Sequence, residues 1–473
     1  MKTHNAVIIR PYHAFLRDNT WYVINCDRFA YEQVPETFVR FLDTLENNSD
    51  TRIPDVHRKR LERLKLILPS DAQKVRPRTA PPKETEPPVH TATVFVSQRC
   101  NHDCVYCYGG GGEYGEPGVM DEETGLKAMD WLWGRKGGLK SIGVSFFGGE
   151  PLLNFGLIKQ MVDHARRLEA GSDARVQFTL STNAALLDDT VLDFMEMHDV
   201  YALIGFDGPR QIQDRNRPLR NGRSSYDTVI PRIRKLIARR PNQVTLRSTI
   251  WQTGDIPLVV REMRTLSPHI FQTPIASPGG HQGEDTFEPT STRQDVVGAL
   301  NAAIPDFLQA VRSRDRNALK GFFSWTGFNE VLGVLQRRTE RTGTCGVGRE
   351  IVSISSTGAV YPCHRFVGHK RYAIGSIMTG ELDRGEYLDP PLLTNAQCLS
   401  CWAKHLCNGG CIYDHLARTG HRFTPDAGFC KMTRELFEMG IHLAHQLTRG
   451  EKEFLYESKF LKRPLCPLDL WTG

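Results

Sequence analysis

The sequence predicts an α/β protein built on a partial (β/α)6, TIM-like barrel. Six apolar, strand-like runs recur between residues 93 and 275, and stretches of helical composition separate them. Most runs also lead into a segment of glycine, serine, asparagine, aspartate or cysteine, and the carboxyl ends of parallel strands are where such a barrel carries its chemistry.

The runs are Thr93–Val96, Ile142–Phe147, Val176–Leu180, Tyr201–Phe206, Val244–Ile250 and Ile270–Ile275. Glu123–Trp133, Leu157–Leu168, Asp189–Met197 and Tyr226–Arg239 suit the crossover helices. Between Val75 and Pro88, proline and charge replace the apolar runs, so residues 75–90 read as a linker and 91–299 as the barrel.

Residues 1–74 read as a small α+β unit in which Trp21–Asn25 is a strand and Glu36–Glu46 a helix. Phe38, Phe41, Leu42 and Leu45 share one face of that helix, and Pro35 suits its start. A second helix is expected to contain Leu61, Leu64 and Leu68. The basic run His57–Arg60 reads as a solvated helix face or a docking surface, and Cys26 as a small buried hydrophobe. Beyond the barrel, Ser277–Gly283 is a polar loop suited to bordering a peptide channel. Residues 300–342 form a helical bridge with Phe307, Leu308 and Val311 on one face, and 343–473 a cysteine-bearing domain ending in a helix and tail.

A chain of 473 residues, 40% hydrophobic and 24% charged, has room for two or three domains and a sizeable core. No apolar run approaches the roughly 20 residues that span a bilayer. Met1–Arg10 lacks the apolar stretch of a signal peptide, so a cytoplasmic protein without membrane attachment is expected. The formal charge of +6 is spread along the chain without a nucleic-acid reading module, so nucleic acid is not an expected partner. The 12 cysteines are clustered, which in a reducing compartment favours metal or cluster ligation over disulfides.

Cys100, Cys104 and Cys107 follow the first barrel strand. Thiolates at this spacing can hold three corners of an iron–sulfur cube and leave the fourth iron without a protein ligand. Zinc is the rival, but a structural zinc site closes with a fourth ligand, and His102 is cramped inside the loop. Gly148-Gly149-Glu150-Pro151 closes the second strand. Its glycines allow close backbone approach, and the Glu150 carboxylate can accept a charge-assisted hydrogen bond from an ammonium group.

The three-cysteine loop, with Tyr106 just before its last thiol, and the glycine–glycine–glutamate turn resemble the signature of radical S-adenosylmethionine (SAM) enzymes. The resemblance implies that the open iron binds the amino and carboxylate groups of SAM, which one electron cleaves to methionine and a 5'-deoxyadenosyl radical. It implies cofactor contacts at Tyr106, Gly148, Gly149 and Glu150. Ser181, Thr182 and Asn183 suit ribose or carboxylate hydrogen bonds and equally turn capping, and Arg247 suits the cofactor carboxylate or plain bracing. Asp207-Gly208-Pro209 and Asp214-x-Asn216-Arg217 resemble the family's fourth-strand segment, making Asp207 and Arg217 catalytic candidates. There Arg217 clamps a peptide carbonyl, braces the site or forms a structural ion pair.

Cys345-x12-Gly358-x4-Cys363, then Cys398-x2-Cys401-x5-Cys407-x3-Cys411 and Cys430, resemble the seven-cysteine SPASM extension of peptide-modifying radical enzymes. By that resemblance Cys398, Cys401, Cys407 and Cys430 hold an outer [4Fe-4S] cluster and Cys345, Cys363 and Cys411 an inner one, for three clusters with the SAM-binding cube. The inner cluster is then one ligand short, and either a distant residue such as Cys466 fills it or it stays open to a substrate thiolate. A pair of structural zinc sites is the alternative.

Gly358–Gly368, Ile374–Ile377 and the loop Tyr108–Gly115 resemble the branch that forms thioether links in peptides, including maturation of quinohemoprotein amine dehydrogenase. The substrate implied is the small cysteine-rich gamma subunit of that dehydrogenase, in which a cysteine sulfur is joined to a carbon of aspartate or glutamate. An external electron donor such as flavodoxin or ferredoxin is implied as well. The N-terminal unit resembles the winged-helix-like domain that captures a substrate's leader, or is a plain cap. His364 stands where sulfatase-maturing relatives carry an aspartate base, as a proton acceptor, a supporting donor or a packed ring. The competing functions are another peptide modification (carbon–carbon or ether cross-link, or epimerisation) and a non-catalytic iron–sulfur electron carrier.

Overall fold

The computed structural model describes residues 9–26, 28, 30–48, 51–67, 86–276, 292–336, 345–388, 395–404, 406–407 and 409–461. Leu68, the linker as far as residue 85, the Ser277–Gly283 loop and Cys466 lie outside them.

Six parallel strands make the barrel wall: β4 (Thr91–Gln98), β6 (Ser141–Gly148), β7 (Arg175–Thr182), β8 (Tyr201–Gly205), β9 (Val244–Arg247) and β10 (Ile270–Gln272). The short β5 (Gly118–Val119) pairs antiparallel with the end of β4. Seven of the eight residues of β4 are buried, which is why it reads as a continuous apolar run. β6 and β7 instead alternate buried and more open positions. Helices α3 (Glu122–Gly134), α4 (Phe155–Glu169), α5 (Asp189–Met197), α6 (Arg210–Asn216), α7 (Ser225–Arg239) and α8 (Ile256–Leu266) connect the strands. The Asp121, Asp188 and Ser224 side chains accept backbone N–H bonds at the starts of α3, α5 and α7, which fixes where those helices begin.

Two strands are shorter than the sequence suggests. β9 stops at Arg247 and β10 at Gln272, and the ladder resumes only as a bridge between Ile250 and Ile275. Pro274 has no N–H to give a ladder and accepts from Ile250 instead. A larger departure is at the other edge. β11 (Ile351–Ile354) pairs in parallel with β4, and β12 (Ala359–Tyr361) and β13 (Gly375–Ser376) continue outward. The cysteine-bearing region thus shares one sheet with the barrel, in the order β10-β9-β8-β7-β6-β4-β11-β12-β13. The bridge before it is helical: α9 (Arg293–Ala302), α10 (Ile304–Arg312), α11 (Arg316–Ser324) and α12 (Thr326–Gln336), with Phe307, Leu308 and Val311 buried.

At the N-terminus, β1 (Tyr12–Arg17), β2 (Thr20–Asn25) and β3 (Tyr31–Val34) form an antiparallel sheet backed by α1 (Glu36–Asn47) and α2 (Asp55–Arg63). Phe38, Leu42, Leu45, Leu61 and Leu64 give this unit its own core. α2 ends one residue before Leu64 because the chain turns at Lys65, whose φ is +52°. Arg60 of the basic run and Arg63 just beyond it pair with Glu32, and Cys26 is buried.

The unit docks onto the helix Ala427–Gln446. His13 binds Glu438 at 2.9 Å and stacks on Trp402 with ring centroids 4.0 Å apart, while the Tyr22 hydroxyl meets His442 Nδ1 at 2.9 Å. His13→Ala removes both the stack and the hydrogen bond and is expected to weaken this docking by about 1–2 kcal/mol. Hydrogen exchange should then rise in β1 and around Glu438, while the unit's own core around Phe38 keeps its protection.

Candidate active site

Three stretches of backbone meet at the carboxyl end of β4. A Cβ on Gly148, whose φ is +135°, would stand 1.9 Å from the Ser97 carbonyl oxygen, and one on Gly149 would stand 2.4 Å from that of Arg99. A Cβ on Gly112, in the glycine-rich loop, would lie 2.6 Å from the Gly149 Cα and 2.8 Å from the Cys100 Cβ. No side chain fits at these points, so glycine here is a packing requirement. The close approach is fixed by Gly149 N–H donating to Ser97 and Glu150 N–H to Arg99.

Glu150 is 0% exposed. Its Oε1 accepts from the Leu152 N–H at 3.1 Å and the Thr182 hydroxyl at 2.7 Å, and its Oε2 from the Asn183 N–H at 2.8 Å. Burial raises its pKa and these donors oppose the rise. The carboxylate therefore latches the end of β6 to the end of β7. The sequence expectation gave it only a cofactor's ammonium; the structure spends most of its acceptor capacity internally and leaves Oε2 with a single donor. Asn183 extends the latch, donating to the Asn101 side chain at 2.7 Å and to the Cys100 Sγ at 3.7 Å. Ser181, Thr182 and Asn183 all line the cavity, Thr182 and Asn183 with turn-type bonds to the following backbone as well.

Asp207, also 0% exposed, accepts from the Tyr106 hydroxyl, the Asn216 amide at 3.1 Å and the Thr249 N–H at 3.2 Å. Among the described residues it is held by these three donors, through which it positions Tyr106 and the Cys104–Cys107 loop. Arg217 is different. Its guanidinium lies across Gly205, where a Cβ would come within 2.3 Å of Nη2, and its Nε and Nη1 are buried with no hydrogen-bond partner. Its nearest acid, Asp207, is 3.9 Å away. An enclosed guanidinium with unsatisfied donors facing a cavity is suited to an anionic ligand.

Cys100, Cys104, Cys107, Tyr106, Gly148, Gly149, Arg217 and Arg247 line one cavity of about 200 Å³. The cysteine-bearing region closes it with His364 and Arg365. His364 lies against Phe147 and Tyr108, with centroids 5.3 and 6.2 Å apart. Burial, then the charges of Arg365 and Arg247, push its pKa down to about 3, so the ring is neutral at physiological pH. Arg365 sits 5.2 Å from the Tyr108 ring and 4.3 Å from the Tyr413 ring and pairs with Asp414 at 3.1 Å. Arg365, Gly112 and Gly205 carried no assigned role in the sequence. Gly112 lay in a glycine-rich loop that marked it, whereas a guanidinium held between two distant tyrosines leaves no local signal.

Burial pushes the Cys100 thiol up to about 11 and Cys104 to about 12. Such thiols ionise when a cation binds, and the three face one cavity, so the donor set fits an iron–sulfur cube. His102 is buried beside them with its pKa lowered to about 3. Farther out, the charges acting on Cys363 include those of Cys411 and Cys345, and the charges acting on Cys398 include those of Cys430, Cys407 and Cys401. Among the described residues no three Cys, His, Asp or Glu side chains converge on a single metal ion. A cube spreads its thiolates over separate irons, so the two findings are compatible.

Residues 94–252 match the family model of the radical SAM superfamily. The barrel is a radical SAM core. It carries a small N-terminal α+β unit and a helix-rich, cysteine-bearing C-terminal region consistent with a SPASM domain. The chain is 35% identical over 135 residues to an uncharacterized protein of Methanocaldococcus jannaschii, covering 28% of this chain and 44% of that one. It is 23% identical over 171 residues to the radical SAM cyclopropyl synthase TigE of Paramaledivibacter caminithermalis, covering 34% of each. The matched segments thus span less than half the length of these curated relatives. Among solved structures, native anSMEcpe with bound AdoMet and Cp18Cys peptide superposes with a TM-score of 0.60 at 19% identity, covering 76% of this chain and 100% of that one. This likeness is one of fold.

Gly149→Ala sets a methyl group against two backbone carbonyls, Arg99 at 2.4 Å and Gly112 at 2.8 Å. We expect it to cost about 2–4 kcal/mol in thermal unfolding and to lower the iron retained after anaerobic reconstitution. Gly156→Ala, in α4 with nothing within 4 Å, is the control and should be neutral or stabilising by up to about 1 kcal/mol.

Proposed function

We propose that this protein is a radical SAM enzyme that cross-links a ribosomally made peptide, joining a substrate cysteine sulfur to a carbon of an aspartate or glutamate side chain. The observation carrying this reading is a cavity that belongs to both halves of the molecule. Three thiols and Arg217, two of whose nitrogens have no hydrogen bond, form its barrel side, and His364 and Arg365 form the wall contributed by the cysteine-bearing region.

In this reading Cys100, Cys104 and Cys107 would hold a [4Fe-4S] cube that, together with bound SAM, would supply a carbon-centred radical able to abstract hydrogen. Arg217 receives the cofactor carboxylate, Glu150 Oε2 its ammonium, and the strand ends at Ser181–Asn183 its ribose. Cys398, Cys401, Cys407 and Cys430 would hold an outer cluster and Cys345, Cys363 and Cys411 an inner one, giving the second electron an exit toward a flavodoxin- or ferredoxin-like carrier. His364, neutral and facing the cavity, suits accepting a hydrogen bond from the substrate thiol, whose proton passes to water as the C–S bond forms. The bond changes balance as one C–H and one S–H broken and one C–S formed, with SAM reduced to methionine and 5'-deoxyadenosine. The chain's own task is to hold one substrate carbon near the radical and exclude others.

A peptide substrate is supported by the fold shared with anSMEcpe, whose structure contains a bound peptide. It is also supported by the N-terminal unit, where edge strand β3 borders a cavity of about 710 Å³ shared with residues 445–449 and suited to a leader segment. The gamma subunit of quinohemoprotein amine dehydrogenase is the substrate that the sequence resemblance suggests, while the comparisons favour the wider class of ribosomal peptides. Another ribosomal peptide receiving a carbon–carbon or ether link, or an epimerised centre, is the second reading, favoured by the match to a cyclopropyl synthase.

Tandem mass spectrometry separates them after anaerobic reaction of reconstituted enzyme with the small cysteine-rich protein, SAM and reductant. We expect a loss of two hydrogens per link, mapped between a cysteine and an acidic residue. The same loss mapped without a cysteine would favour the second reading. An unchanged composition with solvent hydrogen at one α-carbon would indicate epimerisation.

A further inference from the structure

A second cavity, of about 450 Å³, opens off the first and shares Arg247 and Pro274–Ala276 with it. Its far wall includes Cys411 and, from the helix Ala427–Gln446, Phe429 and Met432. Arg247 is the last residue of β9 and stands at the junction. Its side chain is exposed, yet burial still lowers its pKa, so the exposure is onto the cavities.

The other charges on this second wall are committed. Arg293 pairs with Asp426, Arg418 lies 4.0 Å from the same carboxylate, and Asp414 holds Arg365. Glu330, the remaining acid there, is also engaged. Among the described residues the Arg247 guanidinium has no hydrogen-bond or ion-pair partner, and the charges acting on it include Arg365 and Arg217. An unpaired guanidinium beside two others selects a carboxylate, which it can bind through two parallel hydrogen bonds.

Two carboxylates would meet this site, one from the cofactor and one from the substrate. Arg217 lines only the first of the two cavities, with the three thiols, whereas Arg247 lines both. Arg217 therefore suits the ligand at the three-cysteine loop. Arg247 faces the second cavity, whose wall mixes committed charges with Phe429, Met432 and Leu436 and whose size suits amino-acid side chains.

We propose that the second cavity is the subsite for an acidic side chain of the peptide substrate and that Arg247 is the residue that recognises its carboxylate. The assignment rests on the peptide-modifying reading above and gives Arg247 the substrate in place of the cofactor that its sequence position suggested.

The test is a binding measurement that needs no turnover. A fluorescein-labelled synthetic peptide with one cysteine and one aspartate three residues apart, and its asparagine counterpart, are titrated into reconstituted full-length enzyme under anaerobic conditions with SAM present. We expect the aspartate peptide to bind at least about tenfold more tightly, Arg247→Gln to abolish that ratio, and Arg247→Lys to keep part of it. Equal binding of the two peptides by the unaltered enzyme overturns the proposal without any variant. A ratio that survives Arg247→Gln while SAM affinity falls also overturns it and returns Arg247 to the cofactor. Selective binding with no cysteine–acid link in the product leaves the subsite standing and defeats the thioether reading alone.

Discussion

Where Gly148 and Gly149 cross Ser97 and Arg99, carbonyl oxygens occupy the space any side chain would need. That contact sets the height of the three-cysteine loop above the barrel, because the loop begins at the residue following Arg99. Gly112 closes the same crossing from the other side, against the Cys100 Cβ. The thiols are thus positioned by packed backbone and two N–H···O bonds, which do not depend on side-chain rotamers. Glu150 then joins β6 to β7, and Asn183 joins β7 back to the loop.

Two buried carboxylates support this arrangement from behind. Glu150 and Asp207 are each fully buried and each take donors from neighbouring strand ends, so the charge cost of burial is offset by hydrogen bonds that also fix geometry. The guanidiniums contrast with them. Arg217 has orphaned nitrogens and Arg247 has no partner among the described residues, and both face cavities. Internal acids brace the fold while unsatisfied bases await anions, which gives the site its polarity.

Much of this was legible in the sequence because it is local. The three-cysteine loop, the two-glycine turn and the period of the strands all lie in short windows, and they placed the barrel and the cavity's barrel side. What was not legible depends on distant pairing. The parallel join of β11 to β4 links residues about 260 apart through a strand of only four residues, and nothing in that short run specifies its partner. The same join brings His364 and Arg365 over the cavity. Glu150 and Asp207 were picked out by motif, but a motif cannot show whether a carboxylate faces inward or toward a ligand.

In the proposed function the barrel starts a radical and the cysteine-bearing wall, with Arg247, holds the chosen residue. The central claim is that hydrogen leaves an acidic side chain of a peptide held in this shared cavity. Isotope transfer tests that claim most directly. A substrate protein carrying aspartate deuterated at the β-carbon and glutamate deuterated at the γ-carbon is turned over anaerobically, and the 5'-deoxyadenosine is analysed by mass spectrometry. The account predicts deuterium in the 5'-deoxyadenosine in step with the peptide modified. Unlabelled 5'-deoxyadenosine alongside a modified peptide would contradict it.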